Sequence, residues 1–161
     1  MKTLIETNKH QAQRGFTLIE AMVVIAIMAI LAGTSVSSFV WLNQATQIRG
    51  ATFDLIADLD FARSEAVKRN ADVVVAPRNG AWVNGWTIAL GADVLRSRDP
   101  VGGAIGFTAA PAALTFDGGG RPDLETVGNF QICPPSGGSS TGRTVRLDPS
   151  GLSRSTKMAC S

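Results

Sequence analysis

From Phe16 to Leu42 the chain carries one charged side chain, Glu20, and no proline. As a continuous helix rising about 1.5 Å per residue, that stretch reaches roughly 40 Å, enough to cross a hydrocarbon core of about 30 Å. Lys2, Lys9 and Arg14 precede it. Basic residues before an apolar span, with none inside it, predict a cytoplasmic N-terminus and an exported C-terminal half. A secretory signal peptide would have a shorter apolar core ending in a small-x-small cleavage site, and no A-x-A follows here. A plain single-pass anchor accounts for the length but leaves Glu20 unexplained. A carboxylate at membrane depth costs about 3 kcal/mol on insertion scales and normally has a partner and a task.

The residues around that carboxylate read Arg14-Gly15-Phe16-Thr17-Leu18-Ile19-Glu20. They resemble the class III leader of type IV prepilins and type II secretion pseudopilins, whose pattern is G-F-T-L-I-E ahead of an apolar helix. The resemblance implies cleavage between Gly15 and Phe16 by a prepilin peptidase on the cytoplasmic face. It also implies N-methylation of Phe16, the new N-terminus. Glu20 would then offset the positive α-amine of a subunit's Phe16 inside a filament core. The physics agrees, because two opposite charges in a low-dielectric core are tolerable only as a pair.

Beyond the apolar stretch the helical pattern continues and becomes amphipathic. Ile48, Ala51, Leu55, Leu59, Ala62 and Ala66 recur at i, i+3/i+4 spacing, which places them on one stripe. Asp54, Asp58, Arg63 and Lys68 lie off that stripe, and Asp54, Asp58 and Asp60 are expected on a solvated face. Glu65 and Arg69 have the spacing of an ion pair, and Asn70 is a plausible stop. The helix is therefore expected from about Phe16 to about Arg69.

The second half has a different grammar. Only three of the 17 glycines, and none of the seven prolines, precede Pro77. Such punctuation breaks helices and favours short strands. Expected strands are Asp72–Ala76, Trp82–Leu90, Val94–Ser97, Leu114–Phe116, Asn129–Cys133 and Arg143–Leu147, with Asn79-Gly80 as a hairpin turn. On one strand Trp82 and Trp86 would share a face and pack against the helix.

Leu59–Asn70 (LDFARSEAVKRN) followed by Val73-Val74-Val75 resembles the end-of-helix segment of the GspH/FimT family of minor pilins and pseudopilins. The stretch Gly80–Trp86 (GAWVNGW) is similar to that family's first hairpin, and Phe116-Asp117-Gly118 and Phe130-Gln131-Ile132-Cys133 extend the likeness. The expected fold is α+β and type IV pilin-like, with a long N-terminal helix packed on an antiparallel β-sheet domain. Its parts would be a cleaved leader (1–15), a transmembrane and filament-core helix (16–42), an amphipathic half (43–70) and a periplasmic β-rich domain (71–161). The implied setting is the bacterial inner membrane in a single pass, then a pilus or pseudopilus. The implied partners are prepilin peptidase, other pilins and the membrane.

Cys133 and Cys160 fall in the exported half, where a disulfide is the default. Closing that loop would stabilise the domain by about 3–4 kcal/mol. No metal site and no cofactor are expected, since the chain has two cysteines and one histidine, and His10 lies in the leader. Without that histidine, and without a G-x-S-x-G or phosphate-loop motif, catalysis is not expected either.

The formal charge of +2 belongs to the leader. Of 15 basic and 13 acidic side chains, Lys2, Lys9, Arg14 and Glu6 leave with it, and the mature chain is formally neutral. A basic bias persists only at the C-terminus, where Arg143, Arg146, Arg154 and Lys157 stand against Asp148. An alternative function follows: a FimT-like minor pilin that contacts DNA phosphates through this tail during DNA uptake. The family's DNA-binding members carry G-R-x-R, whereas Gly142-Arg143-Thr144-Val145-Arg146 has one extra residue. On a regular strand Arg143 and Arg146 would point to opposite faces.

Overall fold

The computed structural model describes residues 16–102, 105–123, 129–135 and 141–160, and of residues 34–41 the backbone alone. The chain divides into two units, Met1–Phe39 and Val40–Ser161. Among the described residues, helix α1 (Leu18–Arg69, 52 residues) is the regular structure of the first unit and continues into the second. It ends where the sequence provides a stop. Asn70 takes the left-handed conformation (φ 47°), its N–H donates to Val67 O, and the Ala71 N–H donates to Ala66 O. These bonds form a Schellman cap that satisfies the last carbonyls.

In the second unit the stripe Ile48, Ala51, Leu55, Leu59, Ala62 and Ala66 is buried throughout. Strands β1 (Val73–Pro77), β2 (Trp86–Leu90), β3 (Asp93–Ser97) and β5 (Leu114–Phe116) form one antiparallel sheet in the order β3-β2-β1-β5. Strands β4 (Gly106–Ala109), β6 (Phe130–Cys133), β7 (Thr141–Leu147) and β8 (Ser153–Ala159) form a second, in the order β4-β6-β7-β8. Each long strand commits one parity to the core: Val73 with Val75, Trp86 with Ile88, Phe130 with Ile132, and Val145 with Leu147. Together with the helix stripe they make one hydrophobic cluster.

Three expectations need correction. Trp82–Leu90 is not one strand. Trp82–Asn84 is a 3-10 turn, and Gly85 (φ 85°) leads from it into β2. A Cβ at Gly85 would lie 2.8 Å from Asp99 O, so the neighbouring backbone excludes any side chain there. Trp82 therefore leaves the face of β2, and its indole N–H donates to Pro111 O at 2.7 Å. The two rings still meet, with centroids 6.1 Å apart, and Trp82 packs edge-on against Phe130. Asn79 and Gly80 do turn left-handed, but Pro77 pairs with Trp86, so the connection holds two turns rather than a two-residue hairpin.

The second correction concerns β4 and β8, which were not expected. Both are edges of the second sheet. Ser153–Ala159 (SRSTKMA) is mostly exposed and polar, so it lacks the apolar alternation that marks a half-buried strand.

The third correction is Asp58, whose side chain is fully buried rather than solvated. It accepts hydrogen bonds from Trp86 Nε1 (2.9 Å), Arg96 Nη1 (2.8 Å), and Arg98 Nε (2.9 Å) and Nη2 (3.0 Å). Arg98 also reaches Asp54 at 3.4 Å, and the Arg96 guanidinium stacks 3.8 Å over the Phe61 ring. Burial works to raise the Asp58 carboxyl. The donors Arg98, Arg96 and Trp86, with the charge of Arg98, outweigh it and hold the group below its ordinary value. Glu65 is lowered too, through its 2.7 Å bond from Arg69 and then through Lys68.

Cys133 and Cys160 form the expected disulfide. It joins β6 to the end of β8 across the intervening β7, and Gly142 of β7 lies beneath it. A Cβ at Gly142 would collide with Cys160 Sγ and come within 2.8 Å of Cys133 Sγ.

Three outcomes follow. Asp58→Ala takes the buried carboxylate from Arg96 and Arg98, leaving Arg98 with Asp54 alone, although the two arginines keep 40% and 32% of their side-chain surface exposed. Urea unfolding should show a loss near the lower end of the about 3–5 kcal/mol typical of a broken buried pair. Because the Asp58 value is lowered in the fold, its contribution is complete above the ordinary carboxylate value of about 4. It is lost as pH falls through the lowered value, so Asp58→Asn should flatten the acid limb of the stability curve. Gly142→Ala should lower Tm and leave free thiols detectable by mass after alkylation, while Gly80→Ala, with open space around it, should leave the disulfide intact.

Candidate assembly interface

The N-terminal end of α1 begins with a cap. Thr17 precedes the first helical residue, its Oγ1 accepts the Glu20 N–H at 3.3 Å, and its carbonyl accepts the Ala21 N–H at 3.2 Å. Thr17-x-x-Glu20 thus has the spacing of a capping box, with the carboxylate in the first turn at the positive end of the helix dipole. The expected helix start at about Phe16 agrees with this cap, although nothing in the sequence reading singled out Thr17. Gly15 lies outside the described residues, and Phe16 stands just before the helix.

Every described side chain from Phe16 to Gly33 is exposed. Phe16 shows 81% of its surface, Leu18 80% and Ile19 67%, and Met22, Ile25, Met28, Ile30 and Leu31 all exceed half. A contiguous apolar surface of this kind marks a membrane or protein contact. Among the described residues no helix is long and apolar enough to cross a membrane. The expected span from Phe16 to Leu42 runs through residues 34–41, whose side chains lie outside that description.

At the other end of the chain the four C-terminal cations form two cross-strand pairs, not one patch. In the β7–β8 register Arg143 lies opposite Lys157 and Arg146 opposite Arg154. Arg146 and Arg154 are exposed, and Arg154 makes a 3.5 Å pair with Asp148. Arg143 shares the parity of buried Val145 and Leu147, is half-buried, and donates from Nη1 to Ser155 Oγ at 3.1 Å. With Lys157 it lines a cavity of about 120 Å³ whose wall includes Arg49 and Ile48 of α1. Arg49 was not singled out in the sequence, since one arginine on a helix carries no signal until the strands are placed beside it. Gly142, read above as the start of a basic motif, is accounted for by the disulfide that crosses it. Among the described residues no group of acidic, histidine or cysteine side chains could hold a metal ion.

Comparison with known proteins points the same way. The family model for the type II transport protein GspH matches residues 51–151, and that for the prokaryotic N-terminal methylation motif matches residues 10–36. No curated protein sequence matches the chain significantly. Two crystal structures of the Pseudomonas aeruginosa type IV minor pilin FimU are similar to it. One has a TM-score of 0.59 at 25% identity, covering 70% of this chain and 90% of that one. The other has a TM-score of 0.57 at 26% identity, covering 67% and 91%. A capped N-terminal helix with an exposed apolar surface, a methylation motif across its start and a GspH match over most of the β-rich unit identify one class. The chain belongs to the GspH family and is a minor pilin or pseudopilin.

Proposed function

We propose that the chain is made as a precursor, cut between Gly15 and Phe16 by a prepilin peptidase, and N-methylated on Phe16. It is held in the inner membrane in a single pass with its β-rich unit in the periplasm. From there it enters a pilus or pseudopilus through the helix that begins at Leu18. The observation that carries this reading is the exposed apolar surface from Phe16 to Gly33 on a helix capped at Thr17. In water that apolar surface is exposed; among other pilin helices it would be covered. Glu20 fits the same picture. Its exposed carboxylate sits one turn from Phe16 and is available to the amine of a neighbouring subunit's Phe16.

The likeness to FimU favours a pilus over a secretion pseudopilus. The DNA reading gains no support from the geometry, because Arg143 with Lys157 and Arg146 with Arg154 occupy opposite faces. The role is structural, in keeping with the family's pilins.

Gly15→Ala should accumulate as a precursor retaining the leader, resolved by intact mass, and should be missing from sheared filaments. A Gly15→Ala protein of mature size inside filaments would overturn the processing step. Glu20→Ala should be cleaved normally yet fall at least about tenfold in filaments, since leaving a buried amine unpaired costs more than 1.4 kcal/mol.

A further inference from the structure

Arg49, Arg143 and Lys157 line one cavity of about 120 Å³, between α1 and the β7–β8 pair. The ion pairs found among the described residues engage other groups, and no acidic side chain lines the cavity. Arg143 and Lys157 are direct cross-strand partners, an arrangement that like charges disfavour. The cavity's apolar lining comes from Ala45 and Ile48 of α1, the latter 2% exposed. Three cations lining one cavity with no acidic neighbour are complementary to a bound oxyanion.

The place of the cavity along the helix selects the oxyanion. Leu42 ends the apolar run, and Arg49 lies about 10 Å further along the axis at 1.5 Å per residue. The polar headgroup layer adds roughly 5–8 Å beyond each side of the hydrocarbon core. A long arginine side chain at Arg49 reaches back into that layer. Arg143 and Lys157 line the same cavity from the strands.

We infer that Arg49, Arg143 and Lys157 form a seat for the phosphate of an anionic phospholipid headgroup, which holds the β-rich unit against the membrane before assembly. The inference rests on the membrane-anchored reading above. Arg146 and Arg154, on the other face of the strands, take no part in it.

The test uses the full chain reconstituted in phosphatidylcholine vesicles with and without phosphatidylglycerol. Vesicle flotation reads insertion, and native mass spectrometry reads retained lipid. The unchanged chain should retain one phosphatidylglycerol. Arg49→Gln, Arg143→Gln and Lys157→Gln should each weaken retention roughly fivefold, the equivalent of about 1 kcal/mol per cation at an anionic surface. Arg143→Lys should keep most of it, and Arg146→Gln and Arg154→Gln should be unchanged. Should Arg143→Gln fail to form its disulfide, the exposed positions Arg49 and Lys157 still decide the matter. A chain that floats with the vesicles but shows no preference for phosphatidylglycerol overturns this inference alone. A chain that floats with neither vesicle overturns the membrane reading and this one with it. Binding of inorganic phosphate or duplex DNA through the same three cations, without phosphatidylglycerol retention, overturns the lipid assignment.

Discussion

A fully buried carboxylate organises the β-rich unit. Asp58 stands on the core side of α1, out of reach of water, and such a group persists as a charge only where donors replace its hydration. Trp86 supplies one hydrogen bond from the start of β2, and Arg96 of β3 and Arg98, just past its end, supply three. That requirement fixes how the β2–β3 hairpin lies on the helix. Arg96 lies in β3, the Arg98 N–H extends the pairing past its end by donating to Trp86 O at 2.8 Å, and Gly85 lets the chain pass the Arg98 and Asp99 carbonyls closely. The aromatic cluster of Trp82, Trp86, Phe107 and Phe130 then closes over the adjoining core.

One helix serves two environments. Its first part exposes nearly continuous apolar surface, and its later part buries a stripe, half of it alanine. Ala51, Ala62 and Ala66 on that stripe allow close approach of the sheets, while Leu55 and Leu59 fill the space between. The exposed apolar part is a demand for partners. The buried stripe has already met that demand within the chain.

Charge tells a similar story of position over amount. Residues 16–161 are formally neutral. Two of their basic groups are absorbed by Asp58, two more line up with Glu65 at the end of α1, and Arg154 meets Asp148. Arg49, Arg143 and Lys157 remain together at one cavity. The C-terminal strands that carry two of them are held by the Cys133–Cys160 bridge, which needs a glycine beneath it at position 142.

Much of this was legible in the sequence because it depends on local rules. The leader pattern, the helix from its missing prolines, the stripe from its 3.6-residue period, the stop at Asn70 and the Glu65–Arg69 pair all involve residues close along the chain. The strands with apolar alternation were legible for the same reason, and β8 was not, because an exposed edge needs no such alternation. Asp58 shows the limit most clearly. Position 58 lies three residues from Leu55 and four from Ala62, so helical spacing alone put it near the buried side, yet its charge argued for solvent. Only the fold brought Arg96 and Arg98, some forty residues away, within 3 Å of it. Sequence by itself determined the class of protein and the periodic elements, since these follow from neighbours in the chain. Tertiary structure alone decided which charges are buried, paired or left together, because burial and pairing are set by residues that meet only after folding.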